Sequence, residues 1–339
     1  MGNQASKVIE KQKEKNARKK SNRRKSTVTL GSHASVVVGG TISGNYDWIE
    51  DEGTSKSRRQ SITEFFVGRN NKKSNNSIQG DFKELDRLQR QHYLLKSAKK
   101  SNTATQLDDS ITIVDSGTGN GIWALEIAAE YTHSKVIALD LKPPTQEQGK
   151  PPNLFYKEAD ITKPWPIESN SVDFVFQRSM GHVIPKEHWH QLISEMYRVL
   201  KPGGTIELTE SDLWHHNPGP MQRAFDEFFE SQCDENGIDY RITETINKKI
   251  ELVGFKELNH FTLDVPIGEW PEDEELKQFG FINKEIQKAF LRNRKDIYLS
   301  KWGMSSDDYD LAVQDMLNEF EEYKGFTRFN CYTAKKSQD

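Results

Sequence analysis

Asp115, Gly117, Thr118, Gly119 and Gly121 lie in one short run, Ile111 to Trp123, and their types and spacing suit the holding of a nucleotide or nucleoside. Ile111 to Val114 is a β-branched stretch fit for a strand covered on both faces. Trp123, Leu125, Ile127 and Ala128 begin a packed helix. The alternate glycines fall at the junction, where a missing Cβ lets backbone N–H groups and the helix N-terminus approach a ligand. A dinucleotide fingerprint requires Gly-x-Gly-x-x-Gly. Here Ile122 stands where that pattern needs its last glycine, which disfavours a nicotinamide-dependent oxidoreductase.

The elements that must position this turn follow in order. Lys135 to Asp140 reads as a second buried strand. Its terminal acid lies about twenty residues past the turn, where a carboxylate can accept both ribose hydroxyls; an ordinary solvated acid is the competing reading. Leu154 to Asp160 and Val172 to Gln177 read as the third and fourth strands. A helix with a stripe of Trp189, Leu192, Ile193, Met196, Val199 and Leu200 comes next. Lys201-Pro202-Gly203-Gly204 breaks it, and Thr205 to Glu210 supplies a fifth strand. Phe255 to Val265 and Phe326 to Ala334 read as two more.

Composition divides the 339 residues unevenly. Residues 1–75 are crowded with Lys, Arg, Ser and Asn and cannot bury enough apolar surface to offset the cost of ordering, so they are expected to be disordered. Ten basic residues against Glu10 and Glu14 give residues 1–30 a net +8 within a chain of −4, which leaves −12 for the remainder. Such an acidic body is not expected to bind nucleic acid directly. Two cysteines, Cys233 and Cys331, make neither a disulfide framework nor a metal cluster. No run approaches the roughly eighteen apolar residues of a membrane span, and there is no signal-peptide core. These features suit a cytoplasmic protein. Met1-Gly2-Asn3-Gln4-Ala5-Ser6 fits N-myristoylation at Gly2. The basic cluster behind it could add attraction to an anionic membrane surface. A nuclear import signal and a merely solvated tail are the competing readings of that cluster.

Asp-x-Gly-x-Gly-x-Gly resembles motif I of the class I S-adenosylmethionine-dependent methyltransferases. From about Asp81 onward the chain resembles their fungal LaeA-like branch. The resemblance is carried by Glu84 to Lys96 ahead of the first strand, by Arg178-Ser179-Met180 after the fourth, and by the insertion opened by Ile267-Gly268-Glu269-Trp270-Pro271 and closed by Trp302-Gly303. It implies a Rossmann-like α/β sheet of order 3-2-1-4-5-7-6 with the last strand antiparallel. The methyltransferase domain would be residues 76–339, with a helical lid insertion at 266–325 over the acceptor side. The implied cofactor is S-adenosylmethionine: Asp115 and the glycine turn at its methionine end, Asp140 with Leu141 at the ribose, Asp160 and Ile161 at the adenine, and Gln177 as a further contact. The aromatics of the insertion are expected to form its own core.

Methyl transfer from a sulfonium requires alignment first, and a base only if the acceptor must lose a proton. His182, after the fourth strand, is the candidate base, with a structural hydrogen-bonding role as the alternative. His215-His216 is a second, lid-facing candidate. Arg178 could orient an anionic acceptor or pair with Glu207 or Glu210. The turn at Gln177 to Met180 lacks the Asn/Asp-Pro-Pro-aromatic motif, and neither a Pro-Cys nucleophile nor a double-glutamate loop is present. A small molecule or a protein side chain remains as acceptor. An active methyltransferase, with a regulatory role left open, is the leading expectation. A catalytically weak cofactor-binding scaffold of the same fold is the alternative.

Overall fold

The computed structural model describes residues 76–145 and 148–338. The readings made for residues 1–75, including lipidation at Gly2, lie outside the described residues. In chain order the elements are α1 (Asn76–Lys99), β1 (Thr112–Ser116), α2 (Ile122–Glu130), β2 (Lys135–Asp140), β3 (Leu154–Glu158) and β4 (Val172–Arg178). They continue with α3 (Trp189–Val199), β5 (Leu200–Ser211), α4 (Pro220–Glu235), α5 (Ile242–Val253), β6 (Lys256–Pro266), α6 (Glu274–Trp302), α7 (Ser306–Glu322) and β7 (Phe326–Lys335).

The seven strands form one sheet of order 3-2-1-4-5-7-6, as expected. The first five are parallel, and β7 runs antiparallel to both β5 and β6. Unbroken apolar runs in β1, β2 and β4 require cover on both faces, and both faces have it. Ile113, Val136, Ala138, Phe174 and Phe176 pack with Trp123, Ala124 and Ile127 of α2. Trp123 lies flat on Phe176, ring centroids 3.9 Å apart. On the opposite face Val114, Ile137, Leu139, Val175, Ile206 and Leu208 pack with Leu192 and Met196 of α3 and Ile246 and Ile250 of α5. No helix among the described residues is long and apolar enough to cross a membrane.

Two features depart from the sequence reading. The Lys201-Pro202-Gly203-Gly204 segment ends α3 but belongs to β5, which spans Leu200–Ser211. Leu200 pairs with Val172 and Thr205 with Phe174, so residues 201–204 form a bulge opposite Asp173. The Lys201 ammonium, 2.8 Å from both Asp173 oxygens, ties the bulge down. The second departure concerns the cap. Its long helices begin where their caps dictate: the Asp273 carboxylate accepts from Leu276 N at 2.9 Å, and Ser305 Oγ from Asp308 N at 3.2 Å. A third helix, α4, comes from the β5–β6 connection and has no counterpart in the expected lid. The Glu319 carboxylate of α7 accepts from Met221 N and Gln222 N at the α4 N-terminus, and Phe225 and Phe228 of α4 pack against Tyr298 and Trp302 of α6. Tyr298, Tyr309 and Phe320 are buried core of the cap, whereas Phe281 and Tyr323 are exposed.

Candidate functional site

The C-terminal ends of β1, β2 and β4 converge on the glycine turn. Gly117, Gly119 and Gly121 adopt φ of +75°, +59° and +74°, in the left-handed region. The N–H groups of Gly117 and Thr118 both donate to Leu139 O at 2.9 Å, which locks the turn to β2. The Thr118 hydroxyl donates to the Asp115 carboxylate at 2.5 Å. Two of the glycines are demanded by close approach as well as by φ. A Cβ on Gly117 would stand 2.7 Å from Met180 Sδ, and one on Gly121 would stand 2.6 Å from Tyr156 Oη. Met180 and Tyr156 are thus walls of a cradle whose floor is bare backbone.

Asp140, at the end of β2, joins the cradle directly: its Oδ2 accepts from Gly119 N and its Oδ1 from Lys142 N, each at 2.9 Å. Beside it Leu141 is 54% exposed, an apolar side chain presented at the rim. Asp160 follows β3, its Oδ1 accepting from Thr162 N at 3.0 Å and Thr162 Oγ1 at 2.6 Å. Ile161 is buried, and its carbonyl accepts from Trp165 Nε1 at 3.0 Å. Ala159 N donates to Asp140 O at 2.8 Å, so the two acid-bearing strand ends are coupled. Gln177, in register with Ser116, accepts from its hydroxyl at 3.1 Å. The cofactor residues expected from the sequence therefore gather along one edge of the sheet. The acidic end groups suit a ligand with sugar hydroxyls and exocyclic N–H, and the cradle suits a ligand that lies against backbone.

Arg178 hydrogen-bonds to neither of the carboxylates expected for it, although both attract its charge. Lys99 pairs with Glu207 at 2.9 Å, and Ala104 N and Thr105 N donate to the same carboxylate. Arg178 Nη2 instead donates to His92 Nδ1 at 3.2 Å, and His92 Nε2 meets Glu126 at 3.0 Å. Burial, together with the nearby Arg178, pushes His92 down to about 4, so the ring is neutral and donates through Nε2. His182 is pushed down to about 3 by burial and by Arg294 and Arg87. It is a weak proton acceptor, and this favours the structural reading of that residue. Burial raises Asp115 to about 7.

Glu210 is absent from the site residues expected from the sequence. It is 0% exposed, and burial raises it to about 7. A carboxylate in a strand covered on both faces is the signal that could have found it. Met180 and His92 fall in segments that carry the resemblance, but their residue types do not announce these roles, which depend on contacts with distant segments.

His215 lies below the cap, its Nδ1 2.9 Å from Asp226 of α4 and its Nε2 3.3 Å from Gln287 of α6. Burial alone would depress its basicity, but the Asp226 carboxylate outweighs burial and raises it above the ordinary 6.5. A raised folded value means the pair's stabilisation is fully present below 6.5 and is lost as pH rises through the folded value. The Tm gap between wild type and Asp226→Asn is expected to be widest below pH 6.5, at about 4 °C, and to narrow above it. A gap that widens with pH in thermal unfolding contradicts this assignment.

Comparison with known proteins agrees with the geometry. The family description "Methyltransferase domain" matches residues 113–204, from β1 into β5. The N-methyltransferase gliN of Aspergillus fumigatus is 24% identical over 263 residues, covering 75% of this chain and 93% of that protein. The methyltransferase pytC of Aspergillus terreus is 29% identical over 176 residues, covering 50% of this chain and 53% of that protein. The protein-methionine methyltransferase laeA of Emericella nidulans is 27% identical over 288 residues, covering 76% and 71%. These matches support a class I S-adenosylmethionine-dependent methyltransferase of the fungal LaeA-like branch.

Proposed function

We propose that the glycine cradle and the three strand-end acids hold S-adenosylmethionine for transfer of its methyl group to an amine or thioether, carried by a small molecule or a protein side chain. The bond between Gly119 N and Asp140 Oδ2 carries this reading, because it joins the cradle to a strand-end carboxylate in one surface. Asp140 would accept from the ribose hydroxyls, with Leu141 against the sugar edge. Asp160 would accept from the adenine amine, with Ile161 beside the ring. Asp115, Gly117, Thr118 and Gly121 would face the methionine end, with Gln177 below.

Bound S-adenosylmethionine supplies a methyl group already activated on a sulfonium. The protein's part is alignment and exclusion of water, which the walls of Met180 and Tyr156 and the cap of α4, α6 and α7 would provide. The low basicity of His182 supports an acceptor that needs no strong base. A thioether has no proton to lose, and a neutral amine sheds its proton after the new bond forms. The relatives' names, an N-methyltransferase and a protein-methionine methyltransferase, give nitrogen and methionine as the groups methylated by those proteins.

Labelled S-adenosylmethionine incubated with extract fractions tests the reading. Wild type is expected to label an acceptor in one fraction at least tenfold above Gly119→Arg, and the labelled species reports the acceptor class. Equal labelling by the two proteins defeats the proposal.

A further inference from the structure

We propose that Glu210 is a positioning residue for the cofactor: from β5 it latches the turn after β4 that sets Met180 against the glycine cradle. This rests on the reading of the cradle as the S-adenosylmethionine site. Glu210 Oε2 accepts from Gly181 N at 2.8 Å, and Oε1 faces Gln177 Nε2 at 3.4 Å. Gln177 in turn accepts from Ser116 Oγ, so the latch reaches the end of β1 through one amide. The three side chains share the sheet face opposite Arg178, which anchors the other side of the same turn to His92 of α1.

The turn needs such a latch. Ser179 adopts φ of +57°, a left-handed conformation that a non-glycine residue holds only where its surroundings over-determine it. Its N–H is taken by Thr209 O at 2.9 Å, and its hydroxyl is buried with no hydrogen-bond partner. A strained residue with an unsatisfied hydroxyl relaxes when one of its constraints is removed. The next residue is Met180, whose thioether sulfur stands 2.7 Å from where a Cβ on Gly117 would be. Displacing the turn therefore displaces a wall of the cradle.

The environment of Glu210 makes the latch sensitive to protonation. Arg178 of β4 favours the carboxylate, Tyr332 of β7 is coupled to it, and α5 presents Ile242 near Gly181. Burial outweighs the attraction, so the group ionises near neutrality. The carboxylate is a stronger acceptor for Gly181 N–H than the acid.

Calorimetric titration of the full-length protein with S-adenosylhomocysteine between pH 6 and 8.5, with Tm measured in parallel, tests the assignment. At pH 8 Glu210→Ala is expected to bind about tenfold more weakly than wild type. Glu210→Gln, which keeps a carbonyl acceptor for Gly181, recovers most of that loss. Wild-type affinity falls severalfold from pH 8 to pH 6, whereas that of Glu210→Gln falls distinctly less, the remainder coming from Asp115 in the cradle. Wild-type affinity in Glu210→Ala, or the same pH dependence in wild type and Glu210→Gln, overturns the latch while leaving the cradle reading intact. If Glu210→Ala does not fold, the comparison of Glu210→Gln with wild type decides. A wild type that binds no S-adenosylhomocysteine overturns the cradle reading itself.

Discussion

Gly119→Arg is expected to lose S-adenosylmethionine binding by at least about a hundredfold, roughly 2.7 kcal/mol, with a fall in Tm of no more than about 5 °C. The asymmetry comes from where the three glycines face. A Cβ on Gly119 meets only Leu88 Cδ1 at 3.9 Å, so the fold has room for the first carbon of a side chain. Its φ of +59° is left-handed, which costs a non-glycine residue about 1–2 kcal/mol. The rest of the arginine is expected to crowd the mouth of the cradle, whose exposed edge Gly119 forms, and to hinder entry of the cationic ligand. Gly117 and Gly121 are poorer probes, because a Cβ there strikes Met180 or Tyr156 and disturbs the walls as well. Calorimetry and thermal unfolding on the same preparation check both halves; an affinity within tenfold of wild type removes the cradle from the binding site.

Asp140→Ala is expected to weaken S-adenosylmethionine binding about a hundredfold, since two charge-assisted hydrogen bonds to ribose hydroxyls are each worth roughly 1.5–3 kcal/mol before non-additivity. The substitution also frees Gly119 N and Lys142 N, both in exposed positions where water replaces the carboxylate. Stability is therefore expected to fall by only about 1 kcal/mol. Asp140→Asn keeps one acceptor and is expected to lose about tenfold. The same titration ranks the three proteins, and equal losses for Asn and Ala would show that Asp140 acts by holding the turn.

Much of this site is legible in the amino-acid sequence alone. Asp115 to Gly121 announces a strand, a left-handed turn and a helix through residues adjacent in the chain, and Lys135–Asp140 is readable to the residue because an unbroken apolar run ends in an acid. The order of the sheet comes from resemblance, since nothing in the strands' composition states that β4 pairs with β1. The bulge at Lys201 to Gly204 reads as a simple turn because Pro and Gly mark chain reversal and bulge alike. The α4 helix escapes a sequence reading because its apolar positions, Met221, Phe225, Phe228 and Phe229, find their partners on α6 and α7, far along the chain.

The sequence by itself determined the local grammar of the site: where strands end, where φ must be positive, and which acids stand at strand ends. These follow from backbone sterics and apolar periodicity, which act over a few residues. Only the tertiary structure decided which groups meet. It hydrogen-bonded Arg178 to His92 rather than to a glutamate, set His182 near Arg294 and Arg87, and joined Glu210 to Gly181 and Gln177. Those contacts depend on strand register and on helices packed from distant segments, and burial there sets charge states that residue identity alone does not specify.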